Sequence, residues 1–155
     1  MKKRILVKSI AIVIFLLCLL VFSTSCTAQK MKDYYSQKSN YITATGTVTH
    51  IAYSDEDDIL YYGFSDLEYN STPTYPYHFE YYGFKIVGKN FEIVHEKNID
   101  EKVKVGDKIT FIAAPRYFYD GYSIPIVGIS VGDEEILEFN EGVDNLLMYL
   151  AIHQD

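Results

Sequence analysis

Polar and apolar residues alternate strictly over residues 42–49, where threonines occupy every second position. A repeat of two residues is typical of a β-strand with one buried face and one exposed face. We therefore predict a first strand over residues 41–53. Gly46 lies inside this strand and predicts a bulge or a sharp bend, because glycine weakens regular strand pairing.

Several later segments have the same strand character and are separated by polar, glycine-rich or proline-rich stretches. An acidic loop over residues 55–58 follows the first strand. The sequence Gly88-Lys89-Asn90 predicts the turn of a hairpin whose apolar face contains Phe84 and Ile86 on one side and Phe91 and Ile93 on the other. The predicted strands after the first cover residues 59–69, 77–87, 91–95, 109–113 and 123–131.

The pattern changes near the C-terminus. Val143, Leu146, Leu147 and Leu150 are spaced as one face of an α-helix, which predicts an amphipathic helix over residues 141–152. Asn140 is the predicted N-cap of this helix, because asparagine side chains accept hydrogen bonds from the first helical N–H groups. The apolar face of the helix is expected to cover one end or one face of the sheet.

Two short phrases resemble strands of the oligonucleotide/oligosaccharide-binding (OB) fold: Ala44-Thr45-Gly46-Thr47-Val48 and Val105-Gly106-Asp107-Lys108-Ile109-Thr110. The second resembles the strand that follows the helical connection in that fold, and residues 96–104 predict a short helix or an extended connection before it. The resemblance implies a mainly β domain: a small OB-like barrel of five to six strands with one C-terminal helix. A β-sandwich is the alternative, although its usual tryptophan core is missing because the chain has no Trp.

Residues 1–25 have the parts of an export signal. Four basic residues lie among the first eight, and an unbroken apolar run covers residues 10–22. Such signals combine a positive start, an apolar run of about 7–15 residues and a cleavage site with small residues. We predict that residues 1–25 are a cleaved signal peptide. A retained membrane anchor is the alternative, but it needs about 20 apolar residues.

The signal ends at Thr24-Ser25-Cys26, which resembles the lipobox of bacterial lipoproteins. In that family the signal is cut before the cysteine, and the cysteine then carries the lipid; at Ser23 the family usually has leucine. The resemblance implies cleavage between Ser25 and Cys26 and attachment to the membrane through acyl chains on Cys26. The alternative is a secretory signal cut after Ala28, which would release a secreted protein.

The predicted mature chain consists of a flexible, lipid-anchored tether over residues 26–40 and a single domain over residues 41–155. Its segments 114–122 and 125–127 resemble small uncharacterised bacterial exported proteins. Together with the lipobox, they resemble a bacterial exported lipoprotein with an OB-like domain, on the extracytoplasmic face of the cell membrane. This resemblance implies no particular activity.

The net charge is −7, and removal of residues 1–25 leaves 10 basic and 21 acidic residues, a net charge of −11. Nucleic-acid binding requires a positively charged surface, so this balance argues against a nucleic-acid partner. The predicted mature chain has one cysteine and therefore forms no internal disulfide.

The sequence predicts no catalytic set, metal site or cofactor. The four histidines are scattered, and no serine lies in a Gly-x-Ser-x-Gly motif. The acidic loop over residues 55–58 could offer oxygen ligands to calcium, but Leu60 occupies a position where the EF-hand loop requires glycine. Glu134 and Glu135 are adjacent on a strand or turn and point to opposite sides, unlike the converging pair of a glycosidase.

Tyrosines flank two predicted loops, and Arg116 lies in the second of them. If the two loops meet, they form an aromatic surface around this arginine, which suits a protein or glycan partner. The alternative is that these tyrosines pack the barrel and its rim. The predicted binding patch comprises Tyr75, Tyr77, Arg116, Tyr117, Tyr119 and Tyr122, with Tyr81 and Tyr82 nearby.

These observations predict a non-catalytic binding or accessory module, anchored at the cell envelope through Cys26, whose partner is an envelope protein or glycan. A cell-envelope enzyme that acts on wall glycan or peptide is one alternative. A small immunity-type or structural envelope protein is the other.

Overall fold

The structure is a computed structural model that describes residues 29–54, 57–71, 83–115 and 123–152. The chain divides into two compact units, Met1–Tyr34 and Tyr35–Asp155. In the first unit, residues 29–34 are helical (α1), and the Gln29 amide donates a hydrogen bond to the Asp33 carboxylate at 2.6 Å. The second unit begins at Tyr35, six residues before the predicted start of the domain, and contains all the strands described below.

The described residues form a mainly β structure with a C-terminal helix. A 3-10 turn covers Lys38–Asn40, and two helices, α2 (Lys89–Glu96) and α3 (Ile99–Lys102), lie between the third and fourth strands. The C-terminal helix, α4, covers Phe139–Ile152. The strands are β1 (Ile42–Ser54), β2 (Ile59–Ser71), β3 (Gly83–Val87), β4 (Lys108–Ala113), β5 (Ser123–Val131) and β6 (Glu134–Leu137).

The strands form a single sheet that closes into a ring, although not a regular barrel. β1 is long enough to pair antiparallel with β2 and with β4, and β2 pairs with β3. β4 pairs antiparallel with β5, and the parallel pairing of β3 with β5 closes the ring. The predicted fold class is thus confirmed as a mainly β structure, with one ring-like sheet and a C-terminal helix. The β-sandwich alternative was wrong, because the described strands belong to one sheet rather than two.

Aromatic side chains fill the interior of the ring. The rings of Phe64 and Phe111 stack with their centroids 4.5 Å apart, and Phe84 meets Phe111 edge to face at 4.7 Å. Ile42 and Leu60 are also fully buried in this core. Burial of these side chains supplies the main driving force for closing the ring.

At Gly46, where a bulge or a sharp bend was predicted, the strand pairing is irregular. The pairing of β1 with β2 shifts register between Thr45 and Thr47, on either side of this glycine. A Cβ atom at position 46 would lie 2.8 Å from the Leu67 side chain and 3.3 Å from Phe64. The absence of a side chain at position 46 therefore leaves room for the Leu67 and Phe64 side chains of β2 at this register shift.

The predicted hairpin strand over residues 91–95 was wrong, because these residues belong to α2. Gly88 has a φ of 55° and begins the helix, a conformation that glycine adopts without the usual steric cost. Asn90 is buried, and its side-chain amide donates to the Gly142 carbonyl at 2.9 Å. These contacts with α4 favour the helix over a strand. Of the strand predicted over residues 77–87, the part before Gly83 lies outside the described residues.

The predicted C-terminal helix is confirmed, and its face of Val143, Leu146 and Leu150 is buried. Its predicted N-cap was wrong, because Asn140 lies within α4. The side chain of Glu138 takes the capping role: its carboxylate accepts a hydrogen bond from the Glu141 N–H at 3.0 Å. A carboxylate is favoured at this position because it also interacts with the positive end of the helix dipole.

Candidate functional site

The residues that the sequence singled out lie outside the described part of the chain. Ser25 and Cys26 precede residue 29, where the description begins. The six residues of the predicted binding patch belong to two segments, residues 72–82 and 116–122, that the structure does not describe. The strands on either side of both segments are described, and their register fixes where each segment is anchored.

Two of the four anchors flank the start of β1. Thr43 lies opposite Ser71, the last residue of β2, and on its other side it lies opposite Ile112 of β4. The neighbouring residue Ile42 pairs with Ala113, the last residue of β4. The strands that lead into the two segments, β2 and β4, therefore end on opposite sides of Ile42 and Thr43 of β1.

The other two anchors are direct neighbours. Gly83 begins β3, Ser123 begins β5, and these two residues are partners in the parallel pairing that closes the ring. Both segments are consequently anchored at one end of the ring. We call this the loop end, and define it by Ser71, Gly83, Ala113 and Ser123.

Hydrogen bonds from tyrosine hydroxyls hold the last residues before the segment 116–122. The Tyr35 hydroxyl donates to the Pro115 carbonyl at 2.9 Å, and the Tyr41 hydroxyl donates to the Tyr35 carbonyl at 2.6 Å. The Ala114 N–H also donates to the Pro125 carbonyl at 2.8 Å. Buried hydrogen bonds of this kind are costly to break, so this anchor is fixed relative to the sheet.

A small cavity opens beside the loop end. Its volume is about 140 Å³, and it is lined by Lys38, Tyr41, Thr43, Ile112 and Phe139. Tyr41 and Phe139 meet edge to face with ring centroids 4.9 Å apart. The Lys38 ammonium lies 5.6 Å from the centre of the Phe139 ring, within the range of a cation–π interaction. We call this site the Lys38 cavity.

The cavity combines apolar walls with one positive charge, and an acidic residue lies close to that charge. The pKa of Glu138 is lowered, chiefly by hydrogen bonds from the backbone N–H groups of Glu141 and Asn140 and to a smaller extent by the charge of Lys38. The Asn140 side chain also donates to this carboxylate at 2.9 Å. The Lys38 ammonium therefore attracts the Glu138 carboxylate electrostatically, while the hydrogen bonds of that carboxylate are made to Glu141 and Asn140.

The other end of β1 has a different character. Of the predicted acidic loop, Asp57 and Asp58 are described, and the Ser54 hydroxyl donates to the Asp57 carboxylate at 3.0 Å. Within the described ranges, no group of three or more His, Cys, Asp or Glu residues is arranged to hold a metal ion. Near this end, Tyr53 meets Phe91 edge to face at 6.1 Å.

One histidine does meet an acid on the surface. His95 Nδ1 lies 3.5 Å from the Asp100 carboxylate, with 64% and 40% of the two side chains exposed. Partial burial raises the pKa of Asp100, and the nearby charge of Lys104 opposes that rise. A solvent-exposed pair of this kind adds little to stability.

The sequence did not indicate the Lys38 cavity. Lys38 falls in the segment predicted to be a flexible tether, and Phe139 falls just before the predicted helix. The two come together only because α4 begins near the place where the start of β1 pairs with the end of β4. Their separation of about 100 positions leaves no local pattern from which the site could have been found.

Comparison with protein-family models, curated proteins and solved structures found no significant match to this chain. Among the residues that the structure describes, none of the helices is both long enough and apolar enough to cross a membrane.

Proposed function

We propose that the protein is a non-catalytic binding module of the OB class, held at the extracytoplasmic face of the cell membrane by lipid on Cys26, and that the loop end carries its recognition surface. The partner is an envelope protein or glycan. The observation that carries the proposal is the parallel pairing of Gly83 with Ser123, because it anchors both tyrosine-rich segments side by side.

The pairing order supports the OB assignment. In the OB fold, a five-stranded Greek-key barrel binds oligonucleotides and oligosaccharides with loops that include the one between the fourth and fifth strands. In this chain the corresponding connection, between β4 and β5, contains Arg116 and three of the predicted tyrosines. The acidity of the chain disfavours a nucleic acid as the ligand.

The composition of the two segments supports a recognition role. Binding residues are concentrated on loops that a rigid scaffold positions. Tyrosine and arginine are enriched at protein interfaces, because both offer a large flat surface together with polar groups. The paired strands hold the residues on either side of each segment, which is the rigid scaffold that such a role requires.

Capture of a partner from solubilised membranes tests the recognition surface. The purified protein is compared with an Arg116→Ala/Tyr119→Ala variant and with a matched Tyr53→Ala/Lys89→Ala control at the opposite end of β1. We expect the first variant to lose the captured partner by tenfold or more, as is typical of interface hot spots, and the control to retain it. Equal capture by all three proteins would contradict the proposal. Protease treatment of the membranes distinguishes a protein partner from a glycan.

The anchor is tested separately by growth with labelled fatty acid. A Cys26→Ala variant is expected to lose both the label and its membrane association, because about two acyl chains are needed for stable attachment. The matched control is Cys18→Ala, which leaves the proposed lipidation site intact and is expected to keep the label. Label that persists without Cys26 would exclude the lipoprotein assignment.

A further inference from the structure

We infer that the Lys38 cavity binds a small cyclic carboxylate, with the ring against Ile112 and Phe139 and the carboxylate at the Lys38 ammonium. The inference deepens the proposed binding role by giving the chemical class of a ligand. It uses no residue of the segments 72–82 and 116–122.

The walls of the cavity define the apolar part of the ligand. Tyr41 is 1% exposed, its hydroxyl donates to the Tyr35 carbonyl, and its ring packs edge to face on Phe139, so it forms the base of the cavity. Ile112 and the Phe139 ring complete the apolar lining. The volume of about 140 Å³ matches the size of one six-membered ring, since an engineered apolar cavity of about 150 Å³ is known to hold benzene.

The polar groups define the other part of the ligand. Among the described residues that line the cavity, Lys38 is the charged one, and Thr43 adds an aliphatic hydroxyl. The ammonium lies beside the Phe139 ring, and it can donate up to three hydrogen bonds. A carboxylate on the ring would accept a charge-assisted hydrogen bond from Lys38, which is stronger than a hydrogen bond between neutral groups. The lining therefore favours an anion over a neutral or cationic ring.

The negative charge of Glu138 weakens this preference for an anion. Its carboxylate is held by the Glu141 N–H at 3.0 Å and by the Asn140 amide at 2.9 Å. It therefore competes with the ligand for Lys38 through its charge, while its own hydrogen bonds are made at the start of α4. Replacing this charge with a neutral amide should increase the affinity for an anion.

Three probes of nearly equal shape and different charge test the inference: benzoate, benzamide and benzamidine. Each is titrated into the purified, isotopically labelled protein and followed by NMR. We expect benzoate to shift the signals of Thr43, Ile112 and Phe139 and to bind up to about fivefold more tightly than benzamide, the ratio expected from a partly exposed ion pair. Benzamidine is expected to bind most weakly. Benzamidine binding as tight as benzoate, or shifts confined to other parts of the chain, would overturn the inference.

Two variants assign the charge effect to named residues. Lys38 is exposed, so Lys38→Gln should fold normally; it should lower benzoate affinity to that of benzamide and leave benzamide affinity unchanged. Glu138→Gln should raise benzoate affinity. Unchanged benzoate affinity in the Lys38→Gln protein, verified as folded by its thermal transition, would overturn the inference.

The Arg116→Ala/Tyr119→Ala variant separates this inference from the proposed function. It should bind benzoate like the original protein, whether or not it has lost its envelope partner. Loss of partner capture with retained benzoate binding would support the cavity assignment, because the two sites would then act independently. Loss of benzoate binding in this variant would show that the probe occupies the loops rather than the cavity and would overturn the inference.

Discussion

A Cβ atom on Gly142 would lie 1.9 Å from the carbonyl oxygen of Val127, so α4 packs directly on the backbone of β5 at this point. In an ordinary helix interior, replacing glycine with alanine stabilises a protein by about 1 kcal/mol. Here the added methyl group would have to push the helix off the strand, and overpacking of this kind typically costs about 1–3 kcal/mol.

We therefore expect Gly142→Ala to lower the free energy of unfolding by roughly 2 kcal/mol, measured by urea denaturation. Met148→Ala is the matched control in the same helix, because Met148 is 49% exposed. It should change stability by less than about 0.5 kcal/mol. A stabilised Gly142→Ala protein would show that α4 does not lie this close to β5.

A buried pair of asparagines joins α2 to α4. The Asn145 amide donates to the Asn90 side-chain oxygen at 2.9 Å, and the Asn90 amide donates to the Gly142 carbonyl. Asn145→Leu should destabilise the protein by about 1–3 kcal/mol, because it leaves a buried oxygen of Asn90 without its donor.

The Asn90→Leu/Asn145→Leu double variant should cost clearly less than the sum of the two single variants. A double-mutant cycle by chemical denaturation measures this coupling, which we expect to exceed about 0.5 kcal/mol. Additive costs would mean that the two side chains do not interact.

Alkaline stability should depend on Tyr62. Burial in the ring raises the pKa of its hydroxyl above the ordinary value of 10.0. Because the pKa is higher in the folded state, the stabilisation from keeping Tyr62 protonated is fully present below about pH 10. It is lost as the pH rises through the folded-state pKa. Tyr62→Phe removes the ionisable group and keeps the stacking on Phe64, whose ring lies 5.9 Å away.

We expect the Tyr62→Phe protein to lose less thermal stability than the original between pH 9 and pH 11, with the two melting temperatures close together at pH 7. Parallel curves over the whole range would contradict a neutral, buried Tyr62.

Acid stability should depend on Glu138. Hydrogen bonds from the N–H groups of Glu141 and Asn140 lower its pKa below the ordinary value of 4.5. Because the pKa is lower in the folded state, the stabilising effect of the charged Glu138 carboxylate is fully present above the ordinary pKa of 4.5. It is lost as the pH falls through the lower folded-state pKa. Glu138→Ala should therefore lower the melting temperature at pH 7, and the difference from the original protein should shrink below about pH 4. A constant difference down to low pH would mean that the carboxylate charge does not stabilise α4.

The sequence was a good guide where one pattern had one physical interpretation. Alternation over residues 42–49 matches β1, and the spacing of Val143, Leu146 and Leu150 matches α4, because each pattern lines one face of its element. Residues 91–95 were misinterpreted because their apolar positions fit either period over so short a stretch. Contacts between Asn90 and the distant α4 decide for the helix, and these cannot be read from local sequence.

The two candidate sites also differ in how far the sequence predicted them. Their tyrosine-rich composition predicted the segments around Tyr77 and Tyr119, but only the pairing of Gly83 with Ser123 brings their anchors together. The Lys38 cavity escaped prediction because its lining depends on the register of β1 against β4 and on where α4 begins. Tertiary register of this kind has no signature in any single stretch of the chain.

The closed ring has an evolutionary consequence. Its hydrogen-bonded strands secure the framework, and the two tyrosine-rich connections end at Gly83 and Ser123, which this framework already holds as partners. Substitutions and changes of length in those connections should therefore cost little folding free energy. Descendants of this chain can therefore vary these connections while inheriting the same scaffold.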